Sequence, residues 1–134
     1  MDAEAAVRQF YTAMNTGDTS LLDEVLHPDW EDIPLPPGIS RGRENYKPVI
    51  GWLRGVLSGF TVTHEDIVVA GNRVAVRSVS RGRHTGEMLG IPATGRQVEF
   101  RAFDFHRLED GQIVQSWHLE DFYDLLRQLG AAPA

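Results

Sequence analysis

At 134 residues, with 42% hydrophobic and 24% charged side chains, the chain is long enough for one cored domain spanning 1–134 and too short for two, and neither disorder nor a fibrous repeat fits it. Acidic residues (19) outnumber basic ones (13) and give a net charge of −6, the opposite of what neutralising a phosphate backbone requires, so no nucleic-acid partner is expected. Cysteine is absent, which excludes disulfides, thiolate metal sites and a cysteine nucleophile.

The opening MDAEAAVRQFYTAMN breaks every apolar run with charge, so it reads as neither a secretory signal nor a membrane span, and a cytoplasmic protein with no membrane partner is expected. Val7, Phe10, Tyr11 and Met14 fall at i, i+3, i+4 and i+7, the stripe of an amphipathic helix that Gly17 ends. Asp18 suits the N-cap of a second short helix carrying Leu21, Leu22, Val25 and Leu26, which His27-Pro28 stops. A brief strand from Trp30 to Ile33 leads into PLPPG at 34–38, a rigid loop because proline supplies no backbone donor. A third helix presents Tyr46, Val49, Ile50, Leu53 and Leu57 and closes at Gly59.

From Phe60 the period changes from 3.6 to 2, predicting strands over 60–70, 73–83, 96–108 and 112–120, with hairpin turns at Gly71-Asn72 and Asp110-Gly111. A final helix over 122–129 ends at Gly130. Helices first and a meandering sheet afterwards make an α+β fold with helices on one sheet face.

The last hairpin carries the residues of interest. A three-residue loop, Glu109-Asp110-Gly111, pairs Leu108 with Gln112 and Ala102 with His118, which makes Asp104 and His118 diagonal neighbours on one face, roughly 7 to 8 Å apart at Cα. A carboxylate beside an imidazole can orient it and raise its proton affinity, giving an acid/base unit near neutrality. The rival face, with Phe103, Phe105, Ile113, Trp117 and Leu119, is more apolar, so periodicity alone leaves open a wet surface pair.

His84-x-Gly86, Gly90-Ile91-Pro92-x-Thr94-Gly95-Arg96, Asp104, Arg107, Asp110-Gly111-x-Ile113, Trp117, Asp121 and the ending LLRQLG, together with FYTAMNTGD and HPDW earlier on, resemble the SnoaL-like polyketide cyclases of the NTF2-like superfamily. The resemblance implies an NTF2-like cone: a curved, mixed or antiparallel sheet wrapped around N-terminal helices and enclosing an apolar pocket into which Asp104 and His118 look. It also implies a second subunit over Phe103, Phe105 and Trp117, hence a homo-oligomer, most simply a dimer. Family cyclases close a ring by intramolecular aldol condensation without a cofactor, using an Asp on the last strand opposite a His on the preceding one. In this chain the two are exchanged: His118 takes the place of that Asp, and Asp104 that of the His.

The function so implied is a cofactor-independent cyclase acting on an apolar, carbonyl-bearing small molecule, with His118 as base and Asp104 orienting it. An isomerase or hydrolase of the same fold, or a non-catalytic binding module, are the alternatives. Around the pair, His84, Trp30, Trp52, His106 and Asp32 are candidate substrate contacts. Two readings of His84 stand: a place near the pocket, or a cap on a strand end. Trp30 and Trp52 could wall an aromatic-ligand pocket, although large aromatics at such positions are usually core. Arg96 reads as an ion-pair partner. The five histidines show no close ligand spacing, so no metal is expected, and no Gly-rich phosphate loop or GxSxG motif is present.

Overall fold

The structure, a computed structural model, describes residues 1–131. Helix α1 (Ala3–Thr16) opens at Asp2, whose carboxylate accepts the Ala5 N–H at 2.8 Å, and closes at Gly17, whose φ of 77° lets its N–H return to the Ala13 carbonyl. The second helix is short: Asp18 accepts the Ser20 N–H to start a 3-10 turn, Thr19–Leu21, which runs into α2 (Leu22–Val25).

Strand β1 (Leu26–Ile33) begins before Trp30 and includes Pro28. The proline is tolerated because β1 is the edge of the sheet, where a missing N–H breaks no ladder. Helix α3 (Arg43–Val56) hands over at once to β2 (Leu57–Ala70). Leu57, expected at the end of the helical stripe, is thus the first strand residue, and Gly59 serves a bulge between Ser58 and Thr61 and does not close a helix. Then follow β3 (Arg73–His84), β4 (Gln97–Glu109), β5 (Gln112–Glu120) and α4 (Phe122–Gln128).

The five strands form one curved sheet in the order β1-β5-β4-β3-β2, with β1 parallel to β5 and every other pair antiparallel. Alternation sorts the sheet into two faces. Val74, Val76, Val98, Phe100, Leu108 and Ile113 point inward, where they pack with Val7, Phe10, Leu22, Trp30 and Ile50 in a single core. Phe103, Phe105 and Leu119 point outward and are exposed.

The joint between β3 and β4 is held by His84. Its N–H donates to the Arg96 carbonyl, its carbonyl accepts the Gly95 N–H, and its ring Nδ1 accepts the Thr94 N–H at 3.2 Å. Of the glycines expected to supply unusual torsions, Gly90 and Gly95 do so, at φ 76° and 71°, whereas Gly86 supplies room: a Cβ there would meet Val56 Cγ1 at 2.9 Å. Arg96, expected in an ion pair, donates instead to the Gln128 carbonyl at the end of α4.

The β4–β5 register differs from the expected one. The turn is the two-residue Asp110-Gly111, pairing Glu109 with Gln112 and Leu108 with Ile113, and Val114 is then bulged out so that Arg107 pairs with Gln115. The extra residue restores what the shorter turn would have inverted. Asp104 and His118 end up directly opposite each other on the inner face.

Candidate active site

Asp104 sits mid-strand on β4, covered by α1. Its Oδ2 accepts a hydrogen bond from the Tyr11 hydroxyl at 2.6 Å, while Oδ1 is buried with no partner among the described residues. Burial pushes its pKa up to about 6; the Tyr11 hydrogen bond and His118 pull the other way, and Glu120 and Asp32 push with the burial. A buried carboxylate oxygen without a partner is costly to keep ionised, in line with the raised pKa.

His118 faces a different set of partners from the one expected. Nδ1 lies 2.6 Å from Glu120 Oε1, and Nε2 lies 2.7 Å from the Pro34 carbonyl and 3.2 Å from Asp32 Oδ1. A carbonyl can only accept, so Nε2 carries a hydrogen, and the carboxylate opposite Nδ1 draws a second. Burial opposes the charge, yet the two carboxylates prevail and hold the imidazolium up to a pKa of about 11. With both ring nitrogens occupied, His118 has no lone pair to offer as a base. Its positive charge is clamped by Asp32 and Glu120, and no hydrogen bond joins it to Asp104 among the described residues.

The remaining expected residues divide. Asp32 is buried at 6% exposure in the His118 clamp, with a pKa raised by burial despite the imidazolium beside it. His106 belongs to the same inner face, between the Tyr11 hydroxyl at 2.8 Å and Ser116 Oγ at 2.7 Å, and burial holds it neutral with a pKa of about 3. Trp30 is a core residue whose indole N–H is taken by Ser116 Oγ at 3.0 Å. Trp52 is 51% exposed on α3 and is not brought to this group. His84 is fully buried at the far end of β3, paired with Leu57, whereas Asp104 pairs with Val76 nearer the start of that strand; His84 clasps its loop and stands apart from the Asp104 cluster.

Three members escaped the sequence reading. Tyr11 was legible only as one position of a helical stripe, although a polar tip on such a stripe marks a side chain that must find a buried partner. Glu120 lies two positions from His118, and the period of a strand puts it on the same face. Tyr46 packs its ring edge-on to Trp30 at 4.9 Å and stacked on Phe10 at 6.0 Å. Its hydroxyl is kept protonated by burial and by the carboxylates of Asp32, Asp104 and Glu120.

Comparison with known proteins gives a consistent identity. Residues 5–129 match the family model of the SnoaL-like polyketide cyclases. Nogalonic acid methyl ester cyclase of Streptomyces nogalater is 35% identical, the match covering 89% of this chain and 90% of the relative. An aklanonic acid methyl ester cyclase of Streptomyces galilaeus is 31% identical, over 94% of this chain and 89% of the relative. Among solved structures, TsrD of Streptomyces laurentii superposes with a TM-score of 0.88 at 35% identity, covering 96% of this chain and 94% of its own. IdmH of Streptomyces antibioticus gives 0.84 at 34% identity, covering 97% and 99%. With its helices packed on a mixed, curved sheet of NTF2-like form, this chain belongs to the SnoaL-like polyketide cyclases.

Proposed function

We propose that this protein closes a ring in a polyketide-derived methyl ester by intramolecular aldol addition, with Asp104 as the base. Relatives named for nogalonic and aklanonic acid methyl esters support the substrate class. The observation that carries the assignment is the buried, unpartnered Oδ1 of Asp104 beside an Oδ2 already fixed by Tyr11.

In this reading Oδ1 removes a proton from the carbon α to a carbonyl, and the enolate carbon attacks a second carbonyl carbon of the same molecule. One carbon–carbon bond forms, the second carbonyl becomes an alkoxide, and the alkoxide takes the proton back from Asp104. Nothing is oxidised or reduced and no atom is lost, so the balance calls for no cofactor. The clamped His118 imidazolium supplies a fixed positive field for the enolate, while the Tyr46 hydroxyl is the donor we assign to the substrate oxygen. The exchange of Asp and His relative to the family pattern then moves the base from the last strand to its neighbour.

The test is incubation with nogalonic or aklanonic acid methyl ester, following formation of an isomer of unchanged mass by chromatography and mass spectrometry. Asp104→Asn is expected to reduce kcat by about 10²- to 10⁴-fold with the fold intact. His118→Gln is expected to leave measurable turnover and to move the acid limb of the pH profile upward, because the imidazolium favours ionised Asp104. Full activity in Asp104→Asn defeats the proposal, and tight binding without any ring closure favours a binding module. We propose further that Phe103, Phe105 and Leu119, which are 59%, 58% and 75% exposed in the single chain, pack against a second copy.

A further inference from the structure

Four hydrogen bonds run in a line behind Asp104. The Trp30 indole N–H donates to Ser116 Oγ at 3.0 Å, Ser116 Oγ lies 2.7 Å from His106 Nδ1, His106 Nε2 lies 2.8 Å from the Tyr11 hydroxyl, and Tyr11 donates to Asp104 Oδ2 at 2.6 Å. Trp30, Ser116, His106 and Tyr11 are each 3% exposed or less, so solvent cannot substitute for any link.

The direction of the line follows from chemistry at its far end. An indole nitrogen has a hydrogen to give and no lone pair with which to accept. Ser116 Oγ therefore accepts from Trp30 and turns its own hydrogen toward His106 Nδ1. A neutral imidazole that accepts at Nδ1 carries its hydrogen on Nε2, which goes to the Tyr11 oxygen and leaves the Tyr11 hydrogen for Asp104. Run in reverse, the line strands the Ser116 hydrogen, because among the described residues Ser116 Oγ has no side-chain partner besides Trp30 and His106.

We propose that Trp30, Ser116 and His106 are positioning residues that polarise this line in one direction, so that Tyr11 always donates to Asp104 Oδ2 and the substrate proton lands on, and departs from, Oδ1 alone. The inference rests on reading Asp104 as the base. It assigns a role to three residues that touch no substrate: they keep the transferred proton on Oδ1 and deny it a path into the core. The groups around Asp104 are Tyr11 on α1, Tyr46 on α3, Asp32 on β1, His106 on its own strand, and His118 and Glu120 on β5, with His64 of β2 edge-on to Tyr11 at 4.5 Å. Of these, Tyr11 alone is hydrogen-bonded to the carboxylate.

The experiment uses the full chain carrying Ser116→Ala, with Ser116→Thr as the conservative control. In substrate-free protein, nitrogen-15 NMR reads the His106 tautomer and carbon-13 NMR follows the Asp104 carboxyl through its titration. With substrate, kcat/KM is measured against pH. The wild type is expected to show the Nε2–H tautomer. Ser116→Ala frees His106 to adopt the other tautomer and accept from Tyr11, which withdraws the donor from Asp104. Its titration and the acid limb of kcat/KM then both move up by about one pH unit, kcat falls more than KM rises, and Ser116→Thr restores both. Should Ser116→Ala not fold, Trp30→Phe, which keeps an aromatic ring but removes the donor along with part of the indole's volume, takes its place with the same expected shifts. An Nδ1–H tautomer in the wild type, or an Asp104 midpoint unmoved when the tautomer is lost, overturns the proposal. If the titration moves as expected while Asp104→Asn still closes the ring, the polarised line stands and the assignment of Asp104 as base falls.

Discussion

Asp104 and His118 face each other across one hairpin, yet the fold treats them in opposite ways. Asp104 is held above the ordinary carboxylate range by burial, at about 6 against about 3.9 in an unfolded chain. A carboxylate with a raised folded pKa costs the fold stability once ionised, and that cost is relieved as pH falls through about 6 toward 4. Asp104→Asn is therefore expected to raise stability at pH 8, by about 1 to 2 kcal/mol and a few degrees in Tm, while turnover falls by the factor given above. Thermal melts at pH 8 and pH 4 check this, since the gain should shrink at the lower pH. His118 has the opposite sign: its folded pKa of about 11 lies above the unfolded value, so its contribution is complete below about pH 6.5 and is lost as pH climbs through 11. Urea midpoints of His118→Gln should lie below wild type at pH 6 and converge with it toward pH 11. The sequence placed the two on one face through a three-residue turn; they share it because a two-residue turn is offset by the bulge at Val114. The state of His118 could not be read from the sequence, because Asp32 and the Pro34 carbonyl reach it from a strand remote along the chain, and no local pattern announces that meeting.

At the level of elements, the alternation of apolar and polar residues made β2 to β5 legible, and the Gly17, Asp110-Gly111 and Gly130 stops were read from the same kind of local chemistry. What escaped was irregularity: the direct passage from α3 into β2 at Val56-Leu57 and the bulged Val114. Both depend on packing across the sheet, which a window of neighbouring residues does not contain. The bulge has a direct consequence. Deleting Val114 removes the unpaired extra residue, so Ile113 runs straight on to Gln115 and the pairs from Arg107–Gln115 to Asp104–His118 are kept, with His118 and Glu120 still inward. The expected result is that ring closure survives with only a modest change in Tm, and a folded variant that has lost ring closure contradicts the register. Gly86→Ala tests the joint between β3 and β4, where crowding against Val56 should cost about 1 to 3 kcal/mol in a chemical melt.

Across the whole molecule, the division of the sheet into an inner face with polar chemistry and an outer face with exposed aromatics reverses what composition alone favoured. On the last hairpin Phe103, Phe105 and Leu119 are left outside, whereas Ile113, expected on their face, is turned into the core. If a second copy covers the outer face, light scattering should give twice the mass of the 15.0 kDa chain, and Phe103→Lys combined with Leu119→Lys should return it to a monomer. Among the described residues no helix is long and apolar enough to cross a membrane.

Strand β1 ties these levels together. It is joined to the sheet along one side only, by parallel pairing with β5, yet it brings Trp30 to Ser116 and Asp32 to His118, and Pro34 follows directly after it. A border strand is the part of a sheet that lets go first. Were this one to peel back, the imidazolium would shed two of its three anchors and the indole would desert its serine in the same instant. Turnover would then fall while four strands stayed zipped, and amide exchange along Trp30 to Ile33 would keep time with the loss.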